Sequence, residues 1–356
     1  MQECIRLAEK GKRAVSPNPM VGAVLVKADR IVAHGYHHRF GGPHAEVECL
    51  RSYRGDPSTA TLYVNLEPCS YYGKTPPCTD LIIRSGIRRV VFGIRDPNPL
   101  VSGRGIRALR RAGVDVAEGV LKLEATELNR FFLKHITTGM PYVHVKVAQT
   151  LDGKIADVKG KSRWISSPES RKLVHRWRAE HDAILVGAGT IKADDPALTV
   201  RMVKGSSPAV VVIDGGFSVS HASRVFANTK GRRVFICVGE NVTQRHKAKA
   251  AVLRKRGVEI VEFKMRHGVI ALSGILRYLC SRQVGSVLVE GGATVFGQVV
   301  REGLADEISI FVAPRLMGSG RNAFGEIRNG RTIMSQEMRL NVSRSGGDIL
   351  LSGTTR

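Results

Sequence analysis

Short apolar runs rich in Val, Ile and Leu alternate with segments of helical spacing along nearly the whole chain. That alternation constrains the fold more than any other feature, because it describes sheets covered by helices. In the first part, VGAVLVK and IVAHGYH (21–27 and 31–37) form a hairpin pattern. A helix over AEVECLRSY, a strand at ATLYVNL, a short helix from Cys78 to Gly86 and a strand at RRVVFGI follow. A helix ending at Gly113, a short strand and one longer helix over 123–136 complete a helix-covered α/β sandwich. TTGMPY, with Gly139 and Pro141, interrupts the pattern and marks a domain junction, giving domains 1–140 and 141–356. A second α/β series then begins at YVHVKVAQ. It runs through a helix at SPESRKLVHRWRAE, the strands DAILVG, PAVVVID and RRVFICVG, a basic helix over 244–257 and the strand VEIVEF. A helix near GILRYLC, the strand SVLVEGG, a helix starting near Thr294 and the strands EISIFVAP and DILLSG close the series. The halves show no internal repeat, so two different folds are expected.

The composition narrows the class. At 356 residues, 43% hydrophobic and 24% charged, the chain supports two cores and is expected to be soluble and globular. It has no apolar run of membrane-spanning length, and its N-terminus reads as an amphipathic helix rather than a signal peptide. A cytoplasmic protein with no membrane partner is expected. Six cysteines are too sparse for a disulfide framework; two lie close together beside prolines, which in a reducing compartment favours a metal site. A net charge of +24 suits nucleic-acid binding, but the basic residues are spread along the chain without interleaved aromatics. The reading preferred is a basic background with sites for phosphorylated small molecules, and no nucleic-acid partner. A homo-oligomer is left open.

The strongest chemical signal is PHAE at 43–46 followed by EPCSYYGKTPPC at 67–78. Alone, His-x-Glu is as readily the start of an amphipathic helix. Catalytic zinc, however, takes three protein ligands and keeps one position for water, and His44, Cys69 and Cys78 supply that count. Cys78 opens a helical pattern, where backbone N–H groups favour a thiolate. Residues i and i+2 of a helix do not share a face, so Glu46 belongs beside the metal-bound water rather than in the ligand set. There it would act as general base and then general acid. Zinc nucleobase deaminases carry His-x-Glu followed by P-C-x-x-C; here the second cysteine arrives six residues later.

SPNPMVGAVLVK, PHAEVECL, EPCSYYGKTPPCTD and RDPNP together closely resemble the deaminase half of the bifunctional riboflavin-biosynthesis deaminase/reductase family. The resemblance implies a cytidine-deaminase-like α/β/α sandwich with one zinc on His44, Cys69 and Cys78, and Glu46 as proton shuttle. It further implies that Asn18 and Lys74 lie near the pyrimidine or phosphate, with His37, Asp96 and Asn98 as further suggestions of the same kind. One departure stands out: Tyr71 occupies a position where the family usually carries histidine.

The second half lacks a G-x-G-x-x-G dinucleotide fingerprint. GAGT at 187–190 is by itself weak evidence for a cofactor site and is as readily a tight strand-to-loop turn. In VEGGATVFG a strand ends at Glu290 and a helix begins near Thr294, a connection that is either an ordinary β–α turn or a phosphate-binding helix start. KVAQTLDGKIA, the long block from Ser162 to Arg201 and VEGGATVFG resemble the reductase half of the same family. That resemblance implies a dihydrofolate-reductase-like α/β domain. Its NADPH would lie against Ala148, Trp164, Thr190, Asp194, Gly215 and the run Gly292, Ala293, Thr294, Val295, Phe296, Gly297 and Gln298. Gly215 stands where the family often has serine. Ser162, Arg178, Leu198, Arg201 and Glu290 would hold a ribosylamino phosphate. Two other functions compete: a deaminase acting on tRNA or DNA, and a non-enzymatic zinc-containing RNA-binding protein. The first lacks P-C-x-x-C spacing and leaves the second half unexplained; the second needs a closed four-ligand metal site.

Overall fold

The computed structural model describes residues 1–72, 76–98, 101–162, 164–227, 229–324 and 338–355. The chain divides into two compact units, Met1–Met140 and Pro141–Arg356.

The first unit is built on a five-stranded sheet of order β2-β1-β3-β4-β5. Its elements are α1 (Gln2–Ala8), β1 (Gly22–Lys27), β2 (Arg30–Tyr36), α2 (Ala45–Ser52), β3 (Thr61–Leu66), α3 (Cys78–Arg84), β4 (Arg89–Ile94), α4 (Arg104–Arg111), β5 (Asp115–Glu118), α5 (Lys122–Leu128) and α6 (Arg130–Thr138). β1 and β2 pair antiparallel through Ala28 and Asp29, both at positive φ, the twist a two-residue hairpin requires. β3, β4 and β5 run parallel. One face of the sheet packs Leu25, Leu62, Val64, Val90 and Phe92 against Ala45 and Cys49 of α2, Ile82 of α3 and Leu109 of α4. On the other face Val24 meets Cys4 and Leu7 of α1, and at the end of β3 and β4 Leu66 and Ile94 cluster with Ala125 of α5. The layers are helix, sheet, helix.

The single helix expected over 123–136 is two, α5 and α6, broken at Asn129. The break has a local cause. Asn129 is buried, and its side-chain amide accepts from Met20 N at 2.8 Å and donates to Met20 O at 3.0 Å. A tertiary backbone partner has overridden helical continuity.

The second unit holds a nine-stranded sheet of order β11-β10-β9-β8-β14-β6-β15-β18-β17. In chain order its elements begin β6 (Tyr142–Thr150), β7 (Lys154–Ala156), α7 (Pro168–Glu180), β8 (Ala183–Gly187), α8 (Ala188–Asp194), β9 (Ala209–Ile213) and β10 (Val234–Gly239). There follow α9 (Val242–Arg245), α10 (Lys247–Lys255), β11 (Val258–Phe263), β12 (Met265–Arg266), β13 (Val269–Ile270), α11 (Leu272–Ser281) and β14 (Ser286–Gly291). α12 (Ala293–Arg301), β15 (Glu307–Ala313), β16 (Arg321–Asn322), β17 (Met338–Ser345) and β18 (Asp348–Thr355) complete it. The strands from β11 to β15 in that order are parallel, whereas β18 pairs antiparallel with β15 and β17 antiparallel with β18. Being covered on both faces, the central strands are nearly continuous Val, Ile and Leu. Val145, Leu185, Val211 and Val287 pack under α11 and α12, and Ile184, Val186, Val210 and Ile236 pack under α10. α7 is started by Ser167, whose side chain accepts from Ser170 N, and by Pro168 in its first turn.

Two further expectations are corrected here. The turn expected at GAGT is the start of α8. The basic helix expected over 244–257 breaks at His246 into α9 and α10. β17 had no strand expectation: as the edge strand it is almost wholly exposed and is held by its register with β18 rather than by a buried face. Among the described residues no helix is long and apolar enough to cross a membrane.

Candidate functional site

In the first unit the chemistry gathers at the C-terminal end of β3. His44 is the N-cap of α2 and follows Pro43; Cys78 opens α3 after Pro77; Cys69 lies in the segment leaving β3. Their ligand atoms all lie within 4.8 Å of one another, which among the described residues makes the one such His/Cys/Asp/Glu group. His44 presents Nδ1, 3.3 Å from Cys78 Sγ and 3.5 Å from Cys69 Sγ. The sequence does not reveal which ring nitrogen faces the sulfurs. Two sulfurs each about 2.3 Å from a tetrahedral zinc stand about 3.8 Å apart, so the donor set is the right kind and size for that ion.

Electrostatics reinforce the grouping. Hydrogen bonding from Cys78, then from His44, brings Cys69 down to about 4, with the Cys78 N–H donating to its sulfur at 3.3 Å. Cys78 is pushed well up, because its proton is shared with that thiolate and burial opposes a second charge. His44 rises to about 8 through its hydrogen bond with Cys69. At neutral pH the group is thus a Cys69 thiolate between a protonated His44 and a neutral Cys78, and a cation would displace a proton from each of those two. Glu46 is buried on the first turn of α2, and burial raises its pKa against the opposing pull of His44.

The neighbouring residues form a polar rim. Asn18 Nδ2 lies 3.3 Å from His37 Nε2, and His37 Nδ1 lies 2.8 Å from Pro43 O. The His37 and His44 rings meet edge to face. Asp96 is buried, which lifts its carboxyl to about 6, and it accepts from Asn98 N at 2.8 Å. Tyr71 is 38% exposed; burial of the rest, then Cys69 and Asp96, raises its phenol pKa. Lys74 lies outside the described residues.

In the second unit Arg178 of α7 and Glu290 at the end of β14 form a bidentate pair, Nε–Oε1 2.6 Å and Nη2–Oε2 2.7 Å, while Nη1 donates to Thr199 O. Arg201 is exposed, and its N–H donates to Nδ1 of buried His175 at 3.3 Å. Leu198 is buried in the core under α10. Ser162 Oγ donates to both oxygens of Asp194 at 3.1 Å. Trp164 is exposed, with the Arg171 guanidinium 4.6 Å from its ring centre. Ala148 packs with Trp177 and Phe311. At the β14–α12 turn, Gly292 has φ +96°, and a Cβ on Gly291 would stand 2.8 Å from Thr190 Oγ1. Gly292 and Ala293 are half-buried and Thr294 is exposed. Val295, Phe296 and Gln298 point into the core, and Gln298 Nε2 donates to Ile270 O. A Cβ on Gly297 would lie 2.5 Å from Phe324 O. This run therefore offers backbone at 292–294 rather than side chains throughout. Gly215 lies against Met265, whose sulfur would be 3.0 Å from an added Cβ. The space a serine side chain would enter is filled.

Lys146 was not singled out from sequence. It sits on β6 between Val145 and Val147 in sequence, near Glu290 and Arg178; burial lowers its pKa, and Glu290 opposes that shift. A lysine inside a parallel-strand pattern was the available signal.

Comparisons with known proteins agree with both halves. The model of the RibD C-terminal domain matches residues 141–350, and that of the cytidine and deoxycytidylate deaminase zinc-binding region matches residues 1–94. The riboflavin biosynthesis protein RibD of Aquifex aeolicus is 44% identical over 90% of this chain and 87% of its own. That of Escherichia coli K12 is 40% identical over 90% and 88%. A crystal structure from Thermotoga maritima is described as a diaminohydroxyphosphoribosylaminopyrimidine deaminase/5-amino-6-(5-phosphoribosylamino)uracil reductase. It superposes with TM-score 0.86 at 39% identity, covering 100% of this chain and 97% of that one. The first unit is a cytidine-deaminase-like zinc-binding domain and the second a RibD C-terminal, dihydrofolate-reductase-like domain. The chain belongs to the RibD family of bifunctional deaminase/reductases of riboflavin biosynthesis.

Proposed function

We propose that the chain performs two consecutive steps on one phosphorylated pyrimidine. The first unit hydrolytically removes the 2-amino group of the diaminohydroxyphosphoribosylaminopyrimidine. The second reduces the ribosyl chain of 5-amino-6-(5-phosphoribosylamino)uracil to ribityl with NADPH. The observation that carries this reading is the convergence of His44 Nδ1, Cys69 Sγ and Cys78 Sγ within 4.8 Å, with Glu46 buried on the same turn as His44.

His44, Cys69 and Cys78 would hold one zinc, which when bound acidifies water and supplies hydroxide near neutral pH. Glu46, with a raised pKa, is suited to take a proton and return it to the ring and the departing amine. Asn18 and Lys74 are assigned to the pyrimidine or phosphate, with His37, Asp96 and Asn98 beside them.

In the second unit NADPH would supply hydride. Its phosphates suit the N–H groups of Ala293, Thr294 and Val295 at the start of α12, where Gly291 and Gly292 leave a cradle that side chains would fill. Thr190, Asp194, Trp164, Ala148 and Gly215 are assigned to the same cofactor. Arg201 is assigned to the substrate phosphate. Arg178 and Glu290, which hold each other, are assigned to the same ribosylamino phosphate, with Ser162 and Leu198 alongside.

The test is zinc content together with product mass. Without NADPH the expected product is the deaminated pyrimidine, and with NADPH its ribityl form. Deamination of RNA instead of the free pyrimidine in the same assay would replace this reading.

A further inference from the structure

β3 does more than deliver Cys69. Along the extended run that ends it, alternate residues Asn65, Glu67 and Cys69 each engage a different segment, and Asn65 and Glu67 are buried at 0% and 3% exposure. Alternation is the natural consequence of extended backbone, in which i and i+2 point to the same side.

Asn65 Oδ1 accepts from Gly22 N at 2.8 Å, and its Nδ2 donates to Met20 O at 2.9 Å. That grip, shared with Asn129, fixes the backbone two residues after Asn18. The Glu67 carboxylate collects three backbone N–H groups, two from between β4 and α4 and one from the first turn of α4. Oε2 accepts from Asp96 N at 3.3 Å and Gly103 N at 3.1 Å, and Oε1 accepts from Ile106 N at 3.3 Å. Glu67 therefore caps α4 from 36 and 39 residues away, while fixing the backbone of Asp96, two residues before Asn98. The approach leaves no slack: a Cβ on Gly105 would lie 2.3 Å from Pro68 O and 3.1 Å from Glu67 Oε1. Caps usually come from the residue just before the helix; here Gly103 holds that place and has no side chain to offer. Three N–H groups at one carboxylate are a demand that a neutral side chain with one acceptor oxygen does not meet.

We propose that Asn65 and Glu67 are positioning residues for deamination, holding the Asn18 and Asp96–Asn98 segments in register with the metal ligand Cys69. Neither touches the reacting atoms; both act through the backbone of residues that do. The inference rests on the proposed placement of Asn18, Asp96 and Asn98 at the substrate. It predicts that the metal site and the substrate rim can be uncoupled by one buried atom.

The experiment uses the full chain with Glu67→Gln. Exchanging one carboxylate oxygen for an NH2 group sets a donor against donors and releases part of the 96–106 segment. The expected result is one zinc per chain as in wild type, unchanged reduction of the deaminated substrate, and deamination with KM raised about tenfold while kcat stays close to wild type. Amide exchange at Gly103 and Ile106 should quicken in the same protein. Glu67→Asp keeps the charge and should recover part of the KM, as a merely space-filling residue would not. If Glu67→Gln fails to fold, Glu67→Asp carries the same KM-against-kcat comparison. Faster exchange with an unchanged KM overturns the proposal, and so does loss of zinc, which would make Glu67 a support of the metal loop alone. Failure of wild type to deaminate the pyrimidine would instead defeat the functional reading and leave the exchange result standing.

Discussion

The two candidate sites solve opposite electrostatic problems. In the first unit three soft donor atoms gather within 4.8 Å around one thiolate, with Cys69 down to about 4 and Cys78 held up by its hydrogen bond to Cys69. In the second, Lys146, Arg178, Arg201 and His175 act on one another around the single carboxylate of Glu290, and His175 falls to about 4. One site calls for a cation and the other for an anion, which suits a metal-dependent step followed by a step on a phosphorylated substrate. The first is made of side chains whose types are diagnostic. The second is made of backbone and of cations that occur everywhere in this basic chain.

The sharpest way to break that contrast is to remove chemistry from the first site and watch the second. Glu46→Ala should cut deamination at least ~100-fold, the usual scale for a positioned acid–base group, and leave oxidation of NADPH by the deaminated substrate near wild type. Cys78→Ser should lose most of the zinc, whereas Cys280→Ser, in α11 of the other unit, should keep it. Metal analysis and the two separate assays decide. Loss of both activities in a folded, zinc-loaded Glu46→Ala protein would mean the sites are one.

The same contrast explains what was legible in the sequence. His44, Cys69 and Cys78 were readable because few roles other than metal binding bring a histidine and two cysteines beside prolines at helix starts. The strands were readable where burial imposed a pattern, as at YVHVKVAQ. Asn65, Glu67 and Asn129 were not, since their partners are backbone groups between 29 and 109 residues away and any polar residue looks ordinary in such a place. The break at Asn129 was hidden for that reason. Likewise, the run 292–298 could not be divided by sequence into reachable backbone and buried side chains. Only the packing of Val295, Phe296 and Gln298 separates them.

A second, smaller effect tests the charge of the reductase site. Burial, then Arg178 and Arg201, lowers His175 from 6.5 to about 4. Between those values the unfolded chain binds a proton that the folded chain refuses, so stability of this unit is full above pH 6.5 and falls as pH drops toward 4. The loss should be on the order of 2 kcal/mol. Both tryptophans, Trp164 and Trp177, lie in the second unit, so their fluorescence during denaturant unfolding reports it alone. His175→Gln keeps an acceptor for the Arg201 N–H and should flatten the pH dependence over this window. An equally steep dependence in the variant would show that His175 is not held neutral by burial and its cationic neighbours.

The smallest change expected is at Tyr71. The side chain is 38% exposed near Cys69 of the candidate metal site, where the family usually has histidine. A phenol at this position does not titrate near neutral pH, and burial, Cys69 and Asp96 push it further up. An imidazole would titrate near ~6.5, and the same negative neighbours would favour its charged form. Tyr71→His should therefore keep one zinc per chain and hold deamination at pH 8 within about threefold of wild type, the scale of a surface substitution. What should change is the profile: below pH 7 the variant gains an ionisation that wild type lacks. The measurement is kcat/KM for deamination from pH 5.5 to 8.5 in both proteins, with zinc content alongside. Superimposable profiles would place residue 71 away from the substrate. Loss of zinc or of the fold would show instead that the tyrosine ring packs the metal loop, and that the first site depends on shape as well as on its donors.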